Sequence, residues 1–455
     1  MKHIKSVMLL GAPLLAGLIS EFFMYLSDSA MVGRLGVHYL AAMGIATMFA
    51  EILWIIIWPL APATQTIASQ RYGRAIAIEK KDGPEYRNKL RSTGDVFNNS
   101  LLFALGTGAL AVLLAGLCKP FLLLVLDDVS LIPLIDSYVN IVKWAMPVAA
   151  VFYGLYGFLA AINRTIPIMI VTIGLNILNI GFNYLLIFGK FGCPALGIEG
   201  AAIGTVLAQV FGAIFLVLYV LISKNIRPYN CFRFKKFDPK VIKSLLNAGT
   251  PITGELVIVF VIYLYYETLI ANLGTVYLAA THIVFTVFIL KRTIVGGFAE
   301  GGSILVGNNL GRQDRAEAVK YAFAAEWIGI VIGTVLFTLI LLFPENIVRV
   351  FNNEAPTIAV GKDALRFFAV FMLIDVIGYP FEVIFTHNGW GKFVFFAGAG
   401  TNFIFLLGLS IILLKVLNMG IYAAWSAFAI QIVFYMAILT AGFFSKRWLY
   451  VDVPA

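Results

Sequence analysis

The chain has 455 residues, of which 61% are hydrophobic and only 13% charged, too little polar surface for a soluble protein of this length. Its formal charge of +9 sits in the joins between long apolar runs, which is a pattern of membrane topology and not of a nucleic-acid-binding face. The four histidines and three cysteines (Cys118, Cys193, Cys231) have no ligand-like spacing, which argues against zinc, an obligatory disulfide and a metal-dependent membrane enzyme.

A spanning helix takes roughly 20 apolar residues, and the sequence predicts twelve: 7–33, 39–68, 95–118, 138–161, 166–189, 197–222, 245–271, 277–307, 319–343, 365–386, 393–416 and 420–444. Met1-Lys2-His3-Ile4-Lys5 leads into the first run without a small-residue cleavage pattern, so that run reads as a retained helix. An even number of spans puts both termini on one side. Twenty-three of the 33 Lys and Arg fall on that side and eight on the other, while Lys291 and Arg292 lie within a span. By the positive-inside rule both termini are cytoplasmic, and a plasma membrane, the inner one in a bacterium, is the expected location.

Ionisable groups inside spans are expensive and read as functional by default. In the first helix Glu21, Tyr25 and Asp28 follow i, i+4, i+7 spacing and share a face. Two carboxylates and a phenol there suit a cation or an exchangeable proton, whereas Asp28 alone would also serve as a cap near the outer surface. Glu51 of the second helix is as far from the turn at Gly36 as Glu21 is, so the two belong at one depth. In the fifth helix Asn176, Asn179 and Asn183 recur at helical spacing. Thr205 of the sixth lies in the small-residue run Gly200-Ala201-Ala202-Ile203-Gly204-Thr205. Close helix packing explains the glycines; three Asn on one stripe point further, to a polar cavity wall.

The join 223–244 is the longest basic one and falls at mid-chain. It divides the sequence into a first lobe, 1–222, and a second, 245–455. At a constant offset of 238 residues Gly11 and Pro13 match Gly249 and Pro251, Leu35-Gly36 matches Leu273-Gly274, Tyr39-Leu40-Ala41-Ala42 matches Tyr277-Leu278-Ala279-Ala280, and Gly73-Arg74 matches Gly311-Arg312. Two six-helix lobes of the same orientation make a parallel repeat, an arrangement suited to rocking about a central cavity. The predicted fold is thus an all-α polytopic membrane protein of twelve transmembrane helices in two parallel-repeat lobes.

In the second lobe Glu255 is expected at the depth of Lys291 and Arg292, and Glu267 at that of His282, so ion pairs across this hairpin are the economical reading. Asp375 and Glu382, one heptad apart, are candidates for the same cavity. The 14% aromatic content, with 38 Phe, suits a pocket for flat lipophilic ligands, or a lipid-facing surface and interfacial belts.

The run from Asp28 to Gly36 (Asp-Ser-Ala-Met-Val-Gly-Arg-Leu-Gly), followed by Leu40-Ala41-Ala42-Met43-Gly44, resembles the first-hairpin signature of the multidrug and toxic-compound extrusion (MATE) family. Ala68-Ser69-Gln70-Arg71-Tyr72-Gly73-Arg74 is similar to that family's second-helix ending. Asn179-Ile180-Gly181-Phe182-Asn183-Tyr184 and the residues through Gly197 resemble its fifth-helix motif in the NorM-like form. The resemblance implies efflux of organic, usually cationic compounds in exchange for Na+ or H+ by alternating access, with no other cofactor and a monomer sufficient for function. It assigns Asp28 as the acid that carries the coupling ion, with Asn179, Asn183 and Thr205 as its polar companions.

The second lobe departs from the pattern. Val259 stands where a NorM-like acid is expected, with Glu255 a turn earlier. Asn388-Gly389 replaces Arg-Gly, and Ile377 replaces a further acid, with Asp375 nearby. Lys291 and Arg292 there are open to an anionic or zwitterionic substrate. The competing readings are a major-facilitator transporter, a lipid-linked saccharide flippase and, more remotely, an integral-membrane enzyme.

Overall fold

The computed structural model describes residues 1–81, 83–126, 128–234 and 237–451; of the basic join, Lys235 and Lys236 lie outside the described residues. Helices follow one another as α1 (Lys2–Gly33), α2 (Val37–Ile57), α3 (Leu60–Ile76), α4 (Pro84–Ala115), α5 (Cys118–Val125), α6 (Ile132–Val142), α7 (Ala145–Ala161), α8 (Thr165–Phe188) and α9 (Ile198–Ile222). The second half repeats the theme with α10 (Pro239–Ala271), α11 (Thr275–Gly311), α12 (Arg315–Leu342), α13 (Pro344–Phe351), α14 (Ala355–Val376), α15 (Tyr379–His387), α16 (Gly391–Thr401) and α17 (Ile421–Phe444). After α16 the chain continues as wider π-helical turns over Asn402–Leu409 and Ile412–Val416. No β-strand occurs among the described residues.

Ten of these helical segments are long and apolar enough to cross a membrane, and two bent pairs bring the number up to twelve. The pairs are the fourth span of each half: α6 with α7, bent by 44°, and α14 with α15, bent by 41°. Proline explains both, since Pro147 and Pro380 stand in the first turn of the helix after each bend, where the missing N–H costs no hydrogen bond. A short helix, α5 or α13, precedes each pair. The sequence register at offset 238 also has a conformational counterpart. Gly36 and Gly274 turn the first hairpin of each half with φ of 120° and 138°, a region that L side chains rarely adopt, and Pro13 and Pro251 lie inside α1 and α10.

The chain separates into two compact units. The N-terminal unit holds Ala16–Gly249 and Gly311–Gln313; the C-terminal unit holds Met1–Leu15, Thr250–Leu310 and residues 314–451. The boundaries fall within α1 and α10, so the first turns of α1 belong to the bundle formed mostly by the second half. Glycine makes that possible. A Cβ on Gly301 of α11 would lie 2.6 Å from the Gly11 nitrogen, and one on Gly297 would lie 2.7 Å from the Leu15 Cα. The two backbones approach as closely as small-residue interfaces allow. His3 of α1 also reaches Glu317 at the start of α12, at 2.7 Å.

The core of the C-terminal unit is aromatic: Phe428 touches Tyr263, Tyr266, Phe285, Phe288 and Phe368. Ten of the 38 phenylalanines are buried in the protein interior, and fourteen lie exposed on its surface. The N-terminal core is aliphatic, with Val32, Ala42, Ala46, Leu53 and Ile135 fully buried.

Candidate functional site

In the N-terminal unit α1 and α8 run side by side, in register. A Cβ on Gly17 would touch Thr172 at 3.4 Å, Asn176 Nδ2 donates to Ser20 Oγ at 2.7 Å, and Asn183 Nδ2 donates to Asp28 Oδ1 at 2.7 Å. One stripe of α8 thus supplies an amide to Ser20 and to Asp28 on the facing side of α1. All three Asn are buried, and Asp28 is half-buried.

The hydrogen bonds form a chain with a fixed direction. Thr205 of α9 has one hydroxyl proton and gives it to the Ala201 carbonyl, 3.0 Å away, leaving its oxygen only to accept. It accepts from Asn179 Nδ2 at 3.3 Å, so Asn179 turns its oxygen toward Asn183, which donates to it at 3.1 Å. Both donations of Asn183 are then spent, on Asn179 and on Asp28, and its own Oδ1 is buried with no partner. Gly204 admits this side chain: a Cβ there would sit 2.0 Å from Asn183 Oδ1. The chain thus ends on the Asp28 carboxylate, held by an amide whose own oxygen faces Gly204, and a half-buried carboxylate there suits a bound proton or a small monovalent cation.

Around this chain stand the other acids. Glu21 and Glu51 lie within electrostatic reach of each other, and Tyr25 within reach of Glu51 and Asp28. Glu21, Tyr25 and Glu51 are surface-exposed. Two tyrosines that sequence reasoning missed complete the group. Tyr138 of α6 hydrogen-bonds Thr205 and lies within reach of Asp28 and Glu51, and Tyr153 of α7 lies within reach of Glu21 and Glu51. Neither belongs to a motif or shares a helix with Glu21, Asp28 or Glu51; only the tertiary packing of α6 and α7 brings them in.

The C-terminal unit holds a second ionic network. Asp375, fully buried at the end of α14, is ion-paired to Lys291 and takes Arg292 through two nitrogens, Nε at 3.2 Å and Nη2 at 2.7 Å. Arg292 also reaches Glu382 of α15 at 3.5 Å and lies over the Tyr379 ring at 4.6 Å. Lys291 is buried, donates to the Met372 carbonyl at 3.3 Å and sits 4.1 Å from the centre of the Phe288 ring. Its ammonium is engaged by Asp375 and the Met372 carbonyl.

The ion pair expected between Glu255 and Lys291 or Arg292 is replaced by these bonds. Equal depth across the α10–α11 hairpin did not decide the partner, because residues 291 and 292 point toward α14 and α15. Glu255 instead accepts from the Tyr435 hydroxyl of α17 at 3.2 Å, a hydroxyl that Glu382 shares, and it fills the space left by Gly398, whose Cβ would be 2.1 Å from Glu255 Oε1. Two cations thus face three carboxylates. His282 and Glu267, placed at one depth by the sequence, are 3.6 Å apart.

The sequence matches the MatE family over residues 13–185 and 251–412. It is 28% identical over 387 residues to a probable multidrug resistance protein NorM of Agrobacterium fabrum, an alignment covering 82% of this chain and 79% of that protein. It is also 28% identical over 243 residues to the multidrug resistance protein NorM of Vibrio cholerae, covering 53% of each. Among solved structures, a MOP superfamily transporter from Pyrococcus furiosus superposes with a TM-score of 0.85 at 18% identity, covering 99% of this chain and 97% of that one. An outward-facing multidrug resistance MATE family transporter superposes with a TM-score of 0.84 at 18% identity, covering 98% and 95%.

Proposed function

The chain belongs to the MatE family of transporters, and from that premise we propose that it exports organic, chiefly cationic and amphipathic compounds across a plasma membrane in exchange for Na+ or H+. As a transporter it is not an enzyme. The observation that carries the coupling role is the directed chain Thr205–Asn179–Asn183–Asp28, which ends at a carboxylate and an orphaned amide oxygen. An ionised Asp28 in a poorly hydrated interior costs free energy that a bound proton or Na+ removes. Occupied and empty sites then favour different packings of the helices around α1, and the ion gradient drives the exchange between an inward-open and an outward-open form.

In this reading the lobes 1–222 and 245–455, joined by the basic segment 223–244, rock about the substrate path with both termini in the cytoplasm. Glu21, Tyr25 and Glu51 are the first residues an organic cation meets in the N-terminal lobe, supported by their exposure and by negative charge with an aromatic face. The multidrug resistance names of the relatives support a small organic substrate.

The test is efflux of ethidium from membrane vesicles under an imposed sodium gradient or an imposed pH gradient, with Asp28→Asn beside the wild type. Export driven by one gradient and lost in Asp28→Asn is the expected result. Absence of ethidium export under both gradients in the wild type would overturn the reading.

A further inference from the structure

Glu326 stands outside both networks. It lies in the middle of α12, is 5% exposed, and neither of its carboxyl oxygens has a hydrogen-bond partner. It shares the packed face of the helix with Ala322 and Gly329. The neighbouring residue Ala325 abuts Gly302 of α11, whose Cβ would be 2.6 Å from the Ala325 Cβ. Gly329, a turn further on, faces Val295 of α11 and Pro380 of α15, with its Cβ 3.2 and 3.1 Å from them. Glu326 is therefore enclosed where α11, α12 and α15 meet.

The charged groups that these elements bring to the same region are engaged elsewhere. Lys291 and Arg292 of α11 are bound to Asp375 of α14, and Arg292 also to Glu382 of α15. Glu300 of α11 interacts with Tyr379. His387 at the end of α15 has Ser303 Oγ at 3.4 Å. Among the described residues no cation pairs with Glu326, and an ionised carboxylate buried without a partner is disfavoured far more strongly than the neutral acid. A side chain that only filled space here would need no ionisable group.

Other polar side chains stand on the adjoining helices at neighbouring levels. Pro380 is level with Gly329, and α15 runs antiparallel to α12, so the end of α15 lies beyond Glu326 toward the side of the membrane that carries the termini. At roughly 1.5 Å per residue, His387 is about 6 Å further along than Glu326. Ser303 stands one residue past Gly302. Asn388 donates to the Ser303 carbonyl at 3.3 Å, and its own Oδ1 is buried with no partner. His387 and Asn388 are 7% and 2% exposed. An acid, a hydroxyl that donates to the Glu300 carbonyl at 2.8 Å, an imidazole and an amide thus follow one another in level along α12, α11 and the end of α15.

We propose that Glu326 is a proton-exchange site of the C-terminal unit, carrying a proton in the resting protein and trading it with water by way of Ser303, His387 and Asn388. The step breaks the carboxyl O–H bond and passes H+ to water at the His387 end; the reverse step restores it, and nothing is oxidised or reduced. A proton, and not Na+, is the ligand, because one carboxylate enclosed among Ala and Gly lacks the several oxygens that a metal cation requires. This extends the antiport reading by giving the C-terminal unit its own proton, separate from the ion at Asp28.

The purified full-length protein in lipid nanodiscs is examined by infrared spectroscopy, wild type against Glu326→Gln. The wild type at neutral pH is expected to show the carbonyl stretch of a protonated carboxylic acid that shifts on transfer to D2O, disappears reversibly at high pH and is missing from Glu326→Gln. Should Glu326→Gln fail to fold, Glu326→Asp, which moves the band, makes the assignment. Absence of that band from the wild type, or a band that neither D2O nor pH alters, overturns the proposal. In vesicles, Glu326→Gln should lower the protons exchanged per ethidium exported at least twofold; an unchanged ratio reduces Glu326 to a structural role and also overturns it. Failure of the wild type to export ethidium would strike the antiport reading instead and leave the spectroscopic outcomes to decide Glu326.

Discussion

Asn183 donates to Asp28 at 2.7 Å while its own carbonyl oxygen stays buried without a partner. Leaving a buried acceptor unmade costs about 1–3 kcal/mol, which the two donations of Asn183 offset. Asp28→Asn keeps the shape and removes the charge that a coupling ion neutralises. It should fold with a melting temperature close to the wild type and lose gradient-driven ethidium efflux. Efflux at the wild-type rate would remove Asp28 from the coupling role.

Gly204→Ala should reproduce part of that defect without touching an acid. The new Cβ would stand 2.0 Å from Asn183 Oδ1, and the Asn side chain can leave only by giving up its bond to Asp28. Loss of one charge-assisted bond with an unpaired remnant costs about 1.5–3 kcal/mol, read as a lower melting temperature in detergent, with efflux reduced alongside it. Gly200→Ala is the contrast. Its Cβ would meet the Leu186 backbone at 2.6 Å, and backbone cannot swing aside, so destabilisation there should exceed that of Gly204→Ala.

The asparagine stripe of α8 was legible because helical spacing alone puts residues 176, 179 and 183 on one face, and the hairpin glycines 36 and 274 because two halves share one register. Partner choice was not. Glu255 and Lys291 sit at matching depths on neighbouring helices, yet depth is one coordinate and rotation about the helix axis is the other; Asp375 won the cations by rotation. The bends before α7 and α15 were visible only as single prolines, which sequence alone does not distinguish from prolines tolerated in a straight span. Tyr138 and Tyr153 carried no signal, since their place is fixed by how α6 and α7 pack.

Asp375→Asn and Glu255→Gln should therefore differ sharply. Asp375 is fully buried and holds Lys291 and Arg292 together, and removing one member of a buried ion pair costs about 3–5 kcal/mol. Glu255 holds only a tyrosine hydroxyl at 3.2 Å, a bond that Gln also accepts, so its replacement should cost no more than about 1 kcal/mol. Thermal unfolding of the two variants in detergent checks the order. Equal stability losses would mean that the cations are balanced by Glu255 after all.

Thr205 sets the polarity of the site from a distance. Its single proton is fixed on the Ala201 carbonyl, which makes the oxygen an acceptor, turns the Asn179 amide toward it and the Asn179 oxygen toward Asn183, and so aims the Asn183 amide at Asp28. Thr205→Val keeps the volume and removes the acceptor; Asn179 and Asn183 can then reverse their amides, presenting an oxygen to Asp28 where a donor stood. The sodium or proton concentration for half-maximal efflux should shift about tenfold, a change of roughly 1.4 kcal/mol, while Thr205→Ser, which retains the hydroxyl, should match the wild type. Tyr138→Phe should shift it far less, because Tyr138 hydrogen-bonds Thr205 without fixing the direction of the hydroxyl proton. A Thr205→Val protein with wild-type ion dependence would mean that the amide orientation at Asp28 is set locally, and that the bonds to α9 serve only packing.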